Sequence, residues 1–167
     1  MGLGVVTSHG YALKIIRREK GQADVPTAAA GTPMISHERL KQLRSCTPAG
    51  LDFKKLIRLC EEINTCYSAR CLYAVMMLTR TVLDHVPPVF GLRNFVEVAN
   101  NTAGGQSIKR ALLHLEGVGR NVADSHLHTQ MRGSETLPVS QQVNFGPDLD
   151  VLLAEVVRVT QSQPTTS

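Results

Sequence analysis

Between Arg70 and Val86 the sequence RCLYAVMMLTRTVLDHV sets Leu72, Ala74, Val75, Met76, Met77, Leu78, Val82 and Leu83 so close together that almost no polar face remains before Arg80. Only a helix packed around most of its circumference suits such a run. Arg80 and Asp84 interrupt it, and it falls short of the roughly 20 apolar residues that a bilayer span requires. It is therefore expected to be the central rod of a helical domain, with no membrane involved. Pro87 and Pro88 stop it, and Arg80, Asp84 and His85 arrive together at that end.

The flanking segments supply partners for the rod. Ser36 is a good N-cap for a short helix, HERLKQLRS, with Leu40 and Leu43 on one side. Asp52 is placed to cap a longer one, in which Phe53, Leu56, Ile57, Cys60, Ile63 and Tyr67 recur at three-and-four spacing. That helix runs within a few residues into the rod, so the two should form an antiparallel hairpin. A short helical segment is expected over Asn94–Asn100, followed by the turn-forming run NNTAGGQ. From a cap at Ser107, Ile108, Ala111, Leu112, Leu115, Val118, Val122 and Ala123 stripe a helix to about Leu127, with Gly117 and Gly119 marking a close crossing or a bend. Residues 128–145 read as a long loop. Gly146 and Pro147 open a last helix that buries Leu149, Leu152, Leu153, Val156 and Thr160. The fold class expected is all-α: an up-and-down bundle of four main helices with one or two short ones and no strand.

Three regions follow from this pattern. Residues 1–35 form a basic N-terminal segment, strand or frayed helix over residues 5–20, followed by a linker rich in Ala, Thr, Gly and Pro. They are either the remnant of an upstream or partner domain or an irregular arm. Residues 36–161 are the helical domain, and 162–167 a disordered tail. The net charge of +4 lies wholly in the first fifty residues, where Lys14, Arg17, Arg18, Lys20, Arg39, Lys41 and Arg44 face Glu19, Asp24 and Glu38. From Leu51 onward basic and acidic residues balance, which removes bulk charge as an argument for nucleic-acid binding by the body. Cys46, Cys60, Cys66 and Cys71 lack paired zinc spacing and lie in or beside helices, so they read as reduced core thiols of a cytoplasmic protein. The first twenty residues carry no signal-peptide core, and Val6 breaks the myristoylation pattern.

Ionisable groups concentrate in RNVADSHLH, where Arg120, Asn121, Asp124, His126 and His128 crowd the end of a helix, and secondarily at Arg80, Asp84 and His85. Arg132 and Glu135 make a third, smaller group in the loop. Asp124 stands one turn from Arg120, so a surface ion pair between them explains part of the cluster. Asp124 and His128 share a helical face and, with His126 or His85, could be metal ligands, but no fourth group is evident. No metal or other cofactor is therefore assigned. For His85 alone, the end of a helix favours a charged imidazole beside free carbonyls.

A long helical hairpin followed by a helix carrying Arg, a polar residue and then His resembles the HEPN superfamily of small all-α domains, in particular its abortive-infection-type members. The likeness covers about residues 50–160 and is carried by RNVADSH, with Arg120, Asn121 and His126 as the matching positions. With twelve arginines and six histidines in the chain, an Arg followed five to seven positions later by His is expected about once by chance, and requiring a polar residue directly after the Arg lowers that to about a fifth. Only RNVADSH meets the stricter pattern, since Thr81 follows Arg80.

The resemblance implies a metal-independent endoribonuclease of a toxin or defence type, acting on RNA as a homodimer, with Arg120 and His126 at a shared cleft and Asn121 orienting either. The chemistry is coherent: an imidazole can exchange protons with a ribose hydroxyl near neutral pH, while a guanidinium holds the phosphate. On a regular helix, however, His126 lies about 120° around from Arg120, so a composite site needs a loosened helix or a second subunit. Few aromatic residues are available to stack bases. The alternative is a non-catalytic helical module for dimerisation or protein interaction, and the two readings differ in whether Arg120 and His126 converge on a cleft or pair locally.

Overall fold

The computed structural model describes residues 32–46 and 50–162. These form seven α-helices: α1 His37–Ser45, α2 Lys54–Ser68, α3 Leu72–His85, α4 Phe95–Asn101, α5 Gln106–His114, α6 Arg120–Leu127 and α7 Gly146–Ser162. Single 3-10 turns occur at Pro87–Phe90 and Ser140–Val143, and no strand occurs among the described residues. The all-α bundle expected from the periodicities is what forms. The basic segment 1–31 and the tail 163–167 lie outside the described residues.

Local sequence explains most boundaries. Ser36 caps α1 by accepting from the Arg39 N–H at 3.1 Å, and Asn94 caps α4 by accepting from Glu97 N at 2.9 Å. Asp52 stands one residue outside the N-cap of α2, yet its carboxylate still takes the Lys54 N–H at 2.9 Å. Ser107 is not a cap. Gly105 holds that position and α5 begins at Gln106.

The α2–α3 hairpin is the most extensive helix pairing and α3 the central rod, also touching α6, the π-helical turn and both 3-10 turns. Val75, Met76, Val82 and Leu83 on α3 are buried against Leu56, Cys60 and Ile63 of α2 and the rest of the core. The rod is not buried all round, because Tyr73 remains 45% exposed on its first turn. Met34 and Ile35, at the end of the segment read as linker, are buried. Ile35 is fastened by a reciprocal pair of bonds, its N–H to Asn64 Oδ1 at 2.9 Å and its carbonyl from Asn64 Nδ2 at 2.8 Å. Arg39 joins α1 to α7 with a two-pronged bond to Asp150, at 3.1 and 2.9 Å.

Two departures from the expected pattern position the candidate site. Residues Leu115–Gly119 form a π-helical turn between α5 and α6, so the rod from Gln106 to Leu127 is continuous but carries one wide turn where Gly117 and Gly119 lie. No close crossing demands those glycines. A Cβ on Gly119 would meet Phe145 and Leu83 only at 3.9 and 4.0 Å, and one on Gly117 would meet nothing. The second departure is in residues 128–145, where the 3-10 turn brings Val143 and Phe145 into the core.

Candidate functional site

The two clusters that are far apart in sequence come together where α6 packs on the C-terminal half of α3. Asp84 bridges two arginines: its Oδ2 accepts from Arg80 Nε at 3.2 Å and its Oδ1 from Arg120 Nη2 at 2.8 Å. Arg80 reaches across to Asp124, which therefore does not pair with Arg120. Arg120 turns instead to Glu116, one turn before it on the π segment, with Nε 3.0 Å from Oε1. That contact is ionic, without hydrogen-bond alignment, and leaves Arg120 Nε and Glu116 Oε2 with no hydrogen-bond partner among the described residues.

This network holds two arginines against three carboxylates and so carries a formal charge of −1. Burial alone would pull the Arg120 pKa down, but the Asp84 and Glu116 carboxylates outweigh it and raise it above the ordinary guanidinium value. Both arginines are mostly covered, with side-chain exposures of 26% and 21%. A phosphate approaching them would compete with carboxylates already in their forks.

His126 lies elsewhere. Its ring meets Tyr73 edge-on, with centroids 5.2 Å apart and planes at 90°. Arg120 is anchored at Asp84 and His126 at Tyr73, points eleven residues and hence about 16 Å apart along α3. Within one chain the two do not converge. Asn121 and His128 are exposed, and His128 contributes only its backbone N–H, donated to the Asp124 carbonyl at 3.2 Å at the end of α6. Among the described residues no group of three or more His, Cys, Asp or Glu is arranged to hold a metal ion, and Asp124 is committed to Arg80.

His85 separates from its neighbours Arg80 and Asp84. It lines an apolar cavity of about 110 Å³ with Leu51, Asp52, Phe53, Leu56, Val86, Pro88 and Val89. Burial, and then the nearby Lys55 charge, lower its pKa, so the favoured form is the neutral imidazole rather than a cation stabilised by the helix end. The sign follows from linkage: the unfolded chain binds this proton more readily, so stability is retained above about pH 6.5 and falls as pH drops below it. His85→Gln should therefore flatten the loss of thermal stability between about pH 7 and pH 5.5. Paired thermal melts across that range check it, and an unchanged slope would contradict it.

Tyr73 and Glu116 were not singled out by sequence. Glu116 was findable as the residue one turn before Arg120, whereas Tyr73 could be identified only from the packing of α6 on α3. Also unanticipated is an apolar group at this end of the bundle. Leu127, Met131, Leu137 and Val139 are 53%, 92%, 68% and 53% exposed, on or beside a stretch that returns to the connection just before α3, where Arg70 Nη2 donates to Ser140 Oγ at 3.3 Å. Tyr73 stands three residues from that contact. Arg132 and Glu135 close a turn within the stretch, the Glu135 carboxylate accepting from Arg132 N at 3.2 Å.

No family model, no curated protein and no solved structure matches this chain. No helix among the described residues is long and apolar enough to cross a membrane.

Proposed function

We propose that this chain is a non-catalytic helical module that self-associates in the cytoplasm through the end of the bundle bearing Tyr73, Leu127, Met131, Leu137 and Val139. The observation that carries the reading is the exposure of Tyr73 and of Leu127, Met131, Leu137 and Val139, the last four within one short stretch of chain, since exposed apolar surface of this kind marks contact sites when it is contiguous. Two further features support it. The near-neutral body imposes little like-charge repulsion between copies, and the stretch from His128 to Val139, without regular structure, has a length at which loops in compact domains are often functional.

The HEPN-type nuclease reading asks for something different: Arg120 of one copy beside His126 of another, with the guanidinium released from Asp84 and Glu116. The test separates the two. Full-length protein is expected to sediment as a dimer and Met131→Asp/Leu137→Asp as a monomer of unchanged helicity, with no cleavage of a mixed RNA pool in EDTA. A monomeric parent would refute self-association. EDTA-resistant cleavage lost in both Arg120→Ala and His126→Ala would establish the nuclease instead.

A further inference from the structure

The connection between α2 and α3 places two thiols together. Helix α2 ends at Ser68 with Ala69 as its C-cap, and Arg70 takes the left-handed conformation with φ of 57°. Cys71 N donates to the Cys66 carbonyl at 2.8 Å and Arg70 N to the Tyr67 carbonyl at 3.0 Å. These two bonds define a Schellman turn, in which the side chains of the first and last residues, here Cys66 and Cys71, characteristically touch. The backbone bond also limits their separation: Cα is one bond from N on one side and two from O on the other, which holds the two Cα atoms within about 7 Å. Disulfides span about 4.4–6.8 Å between Cα atoms.

The thiols differ in the way a reactive pair requires. Cys71 is exposed, while Cys66 is half-buried, and both are free. Burial, the neighbouring Cys71 and then Glu62 push the Cys66 thiol up. Cys60 is fully buried and its thiol is pushed up to about 12 by burial, which removes it from such chemistry. Of the four cysteines read as core thiols, Cys60 is buried, Cys46 and Cys66 pack partly buried against the core, and Cys71 is the exposed exception.

The geometry points to Cys66 and Cys71 as a redox-active dithiol that closes to a disulfide across the α2–α3 turn on reaction with a small-molecule disulfide such as oxidised glutathione. The exposed Cys71 thiolate attacks one sulfur of the oxidant, releasing one glutathione thiol and leaving a mixed disulfide. The Cys66 thiolate then attacks the Cys71 sulfur and expels the second glutathione thiol. Two protein thiols are oxidised and one disulfide is reduced to two thiols, so hydrogen and electrons balance. The bridge would lock the turn carrying Arg70, whose guanidinium holds Ser140. The inference does not depend on self-association.

Full-length protein is treated with oxidised glutathione, unfolded, alkylated with N-ethylmaleimide and digested with trypsin, which cuts after Arg58, Arg70 and Arg80, so a bridge leaves the peptide carrying Cys60 and Cys66 joined to the one carrying Cys71, and N-ethylmaleimide found on Cys60 identifies the bridge as Cys66–Cys71. The expected result is that joined pair, two of the four thiols lost to alkylation, and separation of the peptides by dithiothreitol. Cys66→Ser should instead accumulate glutathione on Cys71. A stable glutathione adduct on Cys71 of the parent, pairing of either residue with Cys46, or four thiols still open to alkylation in unfolded, oxidant-treated protein would overturn the assignment.

Discussion

Phe145→Ala is expected to cost about 3–5 kcal/mol of folding stability, the range for removing a buried aromatic ring. The ring is 2% exposed, sits beside Gly119 and Leu83, and belongs to a residue whose carbonyl accepts the Leu149 N–H of α7 at 2.8 Å. Its loss would open a cavity at the point where the π-helical turn, α3 and α7 meet. Glycine at 119 has no side chain to fill the space. A domain of this size has about 5–15 kcal/mol in total, so the variant should be marginal at room temperature. Urea titration checks the prediction through a large fall in midpoint at unchanged slope. A loss under about 1 kcal/mol would mean that the surroundings collapse into the space.

Asp84→Ala should destabilise by about 1–2 kcal/mol, below the 3–5 of a fully buried pair because Asp84 is itself half-exposed, and above the 0–1 of a surface bridge. Asp84 is the one carboxylate shared by Arg80 and Arg120, so its removal leaves two largely covered guanidinium groups facing each other across α3 and α6. The control is Arg58→Ala, which breaks an exposed pair with Glu62 at 2.8 Å and should change stability by less than about 0.5 kcal/mol. A double-mutant cycle between Asp84→Ala and Arg120→Ala isolates the coupling. Coupling indistinguishable from zero would show that the bridge contributes nothing beyond its separate parts.

Where apolar spacing is regular, the fold could be read from the chain. The stripe of α2, the packed run of α3, the Ser36 cap and the Gly146–Pro147 start of α7 each report a local preference that tertiary packing leaves intact. Phe145 could not be read in this way. It follows a polar stretch with no periodicity, and only the 3-10 turn at Ser140–Val143 swings it into the core. The π turn was similarly hidden, because two glycines weaken a helix without specifying how it will widen.

The candidate site was legible as a set of residues and not as an arrangement. Spacing along one helix paired Arg120 with Asp124, but Asp124 had a nearer cation on α3 and Arg120 had two other carboxylates. His85, adjacent to Asp84 in sequence, faces another side of the helix and lines the apolar cavity. The apolar residues of the 128–139 stretch had no periodic neighbour to mark whether they turn in or out.

The connection between α2 and α3 also bears on the order in which the chain can organise itself. Three residues separate those helices, so their pairing asks for almost no loop closure, whereas Arg39 and Asp150 must find each other across 111 positions. Each doubling of a closed loop adds only about 0.6 kcal/mol of entropy cost, but several doublings separate these two events. The hairpin is thus the contact that can assemble while the rest of the chain is still searching, and the α1–α7 fastening becomes inexpensive only once the helices between them have shortened the path.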